Sequence, residues 1–130
     1  MEKQPAIQSA LVQAFVVTAH GDLNRVVDML EQEPMLVNAA WDWGGGDWET
    51  GLGGAAHMGR RDIALYLLDH GARMDIFAAA MLGYVEVVKA IIGAAPSTRS
   101  LYGPHGIPLL AHAQAGGKQA EAVVEYLQEL

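Results

Sequence analysis

The chain has 130 residues, of which 52% are apolar, enough for one domain with its own hydrophobic core. Its net charge of −7 disfavours nucleic-acid binding, because phosphate recognition needs a basic face. It contains no cysteine, which excludes disulfides, thiol catalysis and cysteine-ligated zinc. No segment resembles a secretory signal or the ~20 apolar residues of a membrane-spanning helix. We therefore expect a cytoplasmic domain that contacts no membrane.

Apolar residues recur at the i, i+3, i+4 spacing of a buried helix stripe in four places. The stripes are Val26, Val27 and Leu30; Ile63, Ala64, Leu67 and Leu68; Val87, Val88, Ile91 and Ile92; and Val123, Val124 and Leu127. An Ala-rich segment precedes each stripe and ends at a glycine that lets the chain turn, namely Gly21, Gly59, Gly83 or Gly116. Strands of period two are absent from the pattern, so the sequence predicts an all-α fold of four helix-turn-helix pairs.

This repeated pattern resembles the ankyrin repeat family over nearly the whole chain. The clearest unit contains Thr50, Leu52, Ala55, Ala56, Gly59, Asp62, Ile63, Leu67, Leu68, Gly71 and Ala72. The resemblance implies a single domain over 1–130, built as an ankyrin-like solenoid of four repeats at approximately 8–37, 50–75, 76–99 and 107–130.

The spacing between the turn glycines departs from the family period of 33 residues. The gaps are 38 residues from Gly21 to Gly59, 24 to Gly83 and 33 to Gly116. In this family the stretch between helix pairs forms a projecting hairpin finger. We therefore expect an enlarged first finger over 38–49, a deleted second finger, and fingers that are otherwise short.

The long finger carries all three tryptophans of the chain, at positions 41, 43 and 48, with three carboxylates among them. Tryptophan is enriched at interface hot spots, and acidic and aromatic side chains together favour a cationic partner. Trp41, which comes first after the helix pair, fits a structural role equally well. Asp42, Trp43, Asp47, Trp48 and Glu49 are thus the predicted contacts of the finger.

In ankyrin proteins the positions after the Ala-Ala pair face a concave groove, which here holds His57, Met58, Met81 and Leu82. The resemblance therefore implies a non-enzymatic module that binds a protein through the finger and the groove, and the acidic residues favour a partner with a basic patch. No cofactor or metal is required for this function. A monomer is favoured over a homodimer, in which a second copy would cover Met81, Leu82 and Leu101.

A second interpretation is a small-molecule or metal-dependent site, with either a binding or an enzymatic role, between the finger and the fourth repeat. His57, His105 and His112 could join Asp42, Asp47 or Glu49, and a mixture of imidazole and carboxylate suits zinc or similar ions. No local spacing such as H-E-x-x-H supports it. The run Gly51-Leu52-Gly53-Gly54-Ala55-Ala56 lacks the strand context of a dinucleotide site, so we interpret Gly53 and Gly54 as part of a closely packed inner helix.

Overall fold

A computed structural model describes residues 2–130, and it is mostly helical, as the periodicity predicts. Residues 2–130 contain eight α-helices and one two-stranded antiparallel hairpin. The helices are α1 Ser9–Thr18, α2 Leu23–Gln32, α3 Gly51–His57, α4 Arg61–Asp69, α5 Ile76–Leu82, α6 Val85–Ala94, α7 Leu109–Ala115 and α8 Glu121–Gln128. The strands are β1 Ala40–Asp42 and β2 Trp48–Thr50, and short 3₁₀ turns cover Pro34–Asn38, Pro96–Ser100, Pro104–Gly106 and Gly117–Ala120.

The helices follow one another in pairs, and the first helix of each pair contacts the first helix of the next, from α1 through α3 and α5 to α7. Small residues make this close approach possible. A Cβ atom at Gly51 would lie 2.7 Å from the Phe15 ring, so a side chain there would push α3 away from α1. Gly83 ends α5 with a φ of 82°, a conformation that favours glycine.

The hydrophobic core forms two adjoining clusters. One surrounds Phe15, Leu36, Leu52 and Ile63, and the other surrounds Val88 and its neighbours between α5 and α8. Each buried residue of this size contributes about 1.5–3 kcal/mol through its burial. The predicted helix stripes supply much of this core through Val26, Leu30, Ile63, Leu67, Val88, Ile92 and Val123.

The hairpin β1–β2 joins the first helix pair to the second and pairs Trp41 with Glu49 and Asp42 with Trp48. Its turn contains Gly44, Gly45 and Gly46, all with positive φ, and the Asp42 carboxylate accepts hydrogen bonds from the backbone N–H groups of the first and last of them. Side chains alternate across a strand, so Glu49 is buried while Trp48 lies on the outer face.

Two residues expected to face a groove lie in the core instead. Met81 is 1% exposed and Leu82 is 2% exposed, because α5 packs between α3 and α7 and contacts both. Neither side chain is accessible to a partner or to a second copy of the chain, and the prediction that they line a groove is wrong. No helix within residues 2–130 has the length and apolar character needed to cross a membrane.

Candidate metal centre

The site is built around the carboxylate of Glu49, which is 1% exposed. Strand β2 ends immediately afterwards at Thr50, whose hydroxyl accepts the backbone N–H of Gly53 and caps α3. This cap fixes the position of Glu49 relative to α3. A buried carboxylate is costly unless it is paired, so its surroundings decide what it does.

Three histidines from separate elements surround Glu49. His20 follows the last turn of α1, His57 ends α3, and His105 lies in the 3₁₀ turn before α7. Their Nε2 atoms lie 3.1, 3.0 and 3.3 Å from the carboxylate oxygens, respectively. One ligand atom from each of the four residues lies within 4.8 Å of all the others.

Two of the imidazoles each contact a hydrogen-bond acceptor through Nδ1, the ring nitrogen that is not in contact with Glu49. His20 Nδ1 lies 2.7 Å from the Val16 carbonyl oxygen, and His105 Nδ1 lies 2.8 Å from Asp47 Oδ2. Since a carbonyl or an ionised carboxylate can only accept, each Nδ1 carries a hydrogen. A neutral imidazole protonated at Nδ1 presents a lone pair at Nε2, and both of these lone pairs face Glu49.

Two buried polar atoms of the cluster have no hydrogen-bond partner, namely His57 Nε2 and Glu49 Oε2. They lie 3.0 Å apart, yet their contact does not have hydrogen-bond geometry. The other oxygen of the carboxylate, Oε1, accepts a hydrogen bond of 2.9 Å from the indole N–H of Trp43. The carboxylate is therefore oriented on one side and unsatisfied on the side that faces His57 and His105.

Asp47 holds His105 in place at two points. Its Oδ1 accepts the backbone N–H of His105 at 2.8 Å, while its Oδ2 accepts the imidazole Nδ1. His105 is the one non-glycine residue among 2–130 with a positive φ, at 62°. Strained backbone of this kind persists where the surroundings enforce it, and it concentrates at functional sites.

Glu49, His20 and Asp47 have pKa values that their contacts shift away from the ordinary ones. Burial alone would raise the pKa of Glu49, but the contacts with His20 and His57 outweigh it and hold that pKa far below its usual range. The contact with Glu49 raises the pKa of His20 against the opposing effect of burial. The backbone N–H of His105 lowers the pKa of Asp47. Glu49 is thus an anion that draws positive charge into the site.

A cavity of about 390 Å³ lies in front of the cluster. His20, His57, His105, Trp43 and Val17 line it, whereas Glu49 does not. The carboxylate therefore lies deeper than the imidazoles, which surround it on the cavity side. The Trp43 and His105 rings, 5.8 Å apart between centroids, form one wall.

The structure brings together four of the residues proposed from sequence: Asp47, Glu49, His57 and His105. It leaves out Asp42, which caps the hairpin turn, and His112, which lies in the core with its Nδ1 3.0 Å from the Pro108 carbonyl oxygen. Glu49 is buried and Trp43 is hydrogen-bonded to it. The prediction that Glu49 is a surface contact for a partner is therefore wrong. Trp48 and Met58 are exposed.

His20 is the ligand candidate that sequence reasoning missed. The available signal was its position, because His20 and His57 both lie within two residues of the turn glycine that follows an inner helix, Gly21 and Gly59 respectively. The alternation along the finger was a second signal, since it places Asp47 and Glu49 on one face of the hairpin.

Comparison with known proteins adds no assignment: the chain matches no protein-family model and no curated protein at a significant level.

Proposed function

We propose that this protein binds one divalent first-row transition-metal ion through the Nε2 atoms of His20, His57 and His105 and the carboxylate of Glu49. The observation that carries the proposal is the convergence of these four ligand atoms within 4.8 Å, two of them buried and without a hydrogen-bond partner. Buried polar atoms are nearly always satisfied, and those without a partner in a native structure call for an explanation. A cation between the imidazoles and the carboxylate supplies one.

The surroundings of the ligands support a metal more than protons alone. Metal-ligating histidines nearly always donate their second nitrogen to a carboxylate or a backbone carbonyl, as His105 and His20 do here. Protonated imidazoles would form ion pairs with Glu49 at the same distances. They would leave the contact between His57 Nε2 and Glu49 Oε2 without hydrogen-bond geometry, which a metal ion bound to both atoms does not require.

The donor set indicates which ions fit. Imidazole nitrogen suits zinc, copper, iron, cobalt and nickel, whereas calcium and magnesium prefer all-oxygen coordination. Three nitrogens and one oxygen therefore favour Zn²⁺ or a neighbouring transition metal over Mg²⁺ and Ca²⁺.

The proposal is tested on the purified full chain by equilibrium dialysis against Zn²⁺, Co²⁺, Ni²⁺, Mg²⁺ and Ca²⁺, followed by elemental analysis. We expect one transition-metal ion per chain, no retained Mg²⁺ or Ca²⁺, and a higher Tm in the presence of the bound metal. Absence of stoichiometric metal under these conditions would overturn the proposal and leave the cluster as a network of ion pairs.

Two isosteric variants give the test its specificity. Glu49→Gln keeps the shape of the side chain but removes the anionic ligand, and Asp42→Asn makes the same charge change on the same hairpin outside the cluster. Metal binding should be lost in the first variant and retained in the second. Equal binding by both variants would show that Glu49 is not a ligand.

We further propose that the four helix pairs are ankyrin-like repeats with β1–β2 as the enlarged finger. Support comes from the succession of contacts among α1, α3, α5 and α7 and from the glycine-terminated turns. In this arrangement the metal site joins the finger to the inner helices and to the segment before α7.

Partner binding is a second candidate function, and it rests on Trp48, which is 61% exposed on the outer face of the hairpin, and Met58, which is 54% exposed. Large exposed apolar side chains on a rigid element are typical of interaction sites. Affinity capture with the wild type and with Trp48→Ala would test it, provided that Trp48→Ala has the same Tm as the wild type. A partner lost only by the variant would support this function, and identical capture by both would remove Trp48 from it.

A further inference from the structure

The cavity in front of the cluster indicates what the proposed metal would do. Its wall consists of the three imidazoles, the Trp43 ring and the Val17 side chain, while Glu49 lies behind them. A metal held by these four residues would thus have protein behind it and open space of about 390 Å³ in front.

Structural metal sites are closed, whereas sites that act on small molecules keep a coordination position for water or substrate. Cobalt, nickel and iron accept more than four ligands, and zinc can expand to five. With four protein ligands, an ion that takes five or more ligands has a position left for one exchangeable ligand on the cavity side.

The charge of the site selects the donor atom of that ligand. A divalent ion with one carboxylate and three neutral imidazoles has a net charge of about +1, which favours one further anion. No lysine or arginine lines the cavity, so the metal itself would be the cationic group that an anion meets there.

The apolar residues that line the cavity favour a ligand with an apolar group attached to its anionic donor. Val17 is half exposed on α1 and Trp43 is fixed by its hydrogen bond to Glu49, so both offer apolar surface that does not have to rearrange. A preformed apolar wall with a few placed polar groups is typical of small-molecule sites.

From these features, and resting on the proposed function, we infer that the bound metal keeps an open position toward this cavity and takes a small anionic oxygen donor with an apolar body, such as an aromatic carboxylate. The carboxylate of the ligand would displace metal-bound water, while its ring contacts Trp43 and Val17.

The test uses the full chain loaded with Co²⁺, whose visible d–d absorption reports its coordination, titrated with benzoate and with acetate. Both should change the absorption spectrum, and benzoate should bind about tenfold more tightly because of its apolar contact. A d–d spectrum that neither anion changes would show a coordinatively closed metal and overturn the inference while leaving the proposed function intact. Absence of any protein-bound d–d spectrum would instead overturn the proposed function.

Two matched variants on α1 test the apolar wall. Val17→Asn removes the apolar contact in the cavity, whereas Leu11→Asn makes a similar change at an exposed position outside it. The preference for benzoate over acetate should fall in the first variant and persist in the second. An unchanged preference in both would exclude Val17 from ligand binding and overturn the proposed orientation of the ligand.

Discussion

His112 and His20 are both histidines, but one lies in an apolar environment and the other lies beside a buried carboxylate. His112 is fully buried beside Phe77 and makes one hydrogen bond, to the Pro108 carbonyl, and burial lowers its pKa. His20 makes a similar bond to Val16, but its second nitrogen faces Glu49, which raises its pKa. The comparison shows that burial favours the neutral form of a histidine, whereas contact with a buried carboxylate favours its charged form.

The largest expected effect comes from removing the anion that distinguishes the two environments. At pH 6, Glu49→Leu should lower the free energy of unfolding of the metal-free protein by about 3–5 kcal/mol, because it breaks the contacts that the buried carboxylate makes with the half-buried His20 and His57. His112→Leu, a change of similar size in the apolar environment, should cost only about 1–2 kcal/mol. Urea unfolding measures both, and a smaller loss for Glu49→Leu than for His112→Leu would contradict the comparison.

The next effect concerns Asp47, whose carboxylate contacts Nδ1 of the proposed metal ligand His105. Asp47→Asn retains an oxygen for the His105 backbone N–H but removes the negative charge beside its imidazole. Metal affinity should fall by about 10–100-fold, the usual cost of altering an outer-shell carboxylate. Isothermal titration with Zn²⁺ measures this change. Unchanged affinity would mean that Asp47 acts only on the fold of the hairpin.

Adjacent glycines in α3 provide a sharper steric test of His20 as a ligand. A Cβ atom at Gly54 would lie 2.7 Å from His20 Cε1, whereas one at Gly53 meets only ordinary contacts at 3.5 Å. Gly54→Ala should displace the imidazole and weaken Zn²⁺ binding. Gly53→Ala should leave binding unchanged and stabilise the helix by about 0.5–1 kcal/mol. Parallel titrations and thermal melts compare the two, and equal Zn²⁺ affinity in both would argue against His20 as a ligand.

The smallest effect is the pH dependence of the metal-free protein, to which the two histidines contribute with opposite sign. The pKa of His112 is lowered on folding, so its contribution to stability is fully present above pH 6.5 and is lost as the pH falls below 6.5 through the folded-state pKa. The pKa of His20 is raised, so its contribution is present below pH 6.5 and is lost as the pH rises through the folded-state pKa.

Each of these groups changes the free energy of unfolding by at most about 1.4 kcal/mol per pH unit. Urea unfolding between pH 5 and 8 measures the free energy of unfolding. Its decrease toward pH 5 should be weaker in His112→Leu than in the wild type, and its decrease toward pH 8 should be weaker in His20→Leu. If the free energy of unfolding of His112→Leu decreased toward pH 5 as steeply as that of the wild type, the burial of His112 would not be the cause of this decrease.

Local pattern predicted much of this protein. The apolar stripes at Val26, Ile63, Val88 and Val123 lie in helices, as their period requires, and the residues in them that face inward are buried. The pattern failed at Met81 and Leu82, because periodicity identifies a helix but not how many neighbours enclose it. A short apolar helix has few polar residues to mark an exposed face, and α5 is covered by both α3 and α7.

The sequence by itself determined the helix pairs, the glycine-containing hairpin and a set of histidines and acids that could meet near it, because these depend on spacing along the chain. Only the tertiary structure decided which of them meet. It placed His20 beside Glu49, moved His112 into the core and put Asp42 at the hairpin turn. The reason is physical: burial and convergence at Glu49 depend on segments as far apart in the chain as His20 and His105, and no local pattern records the distance between their side chains.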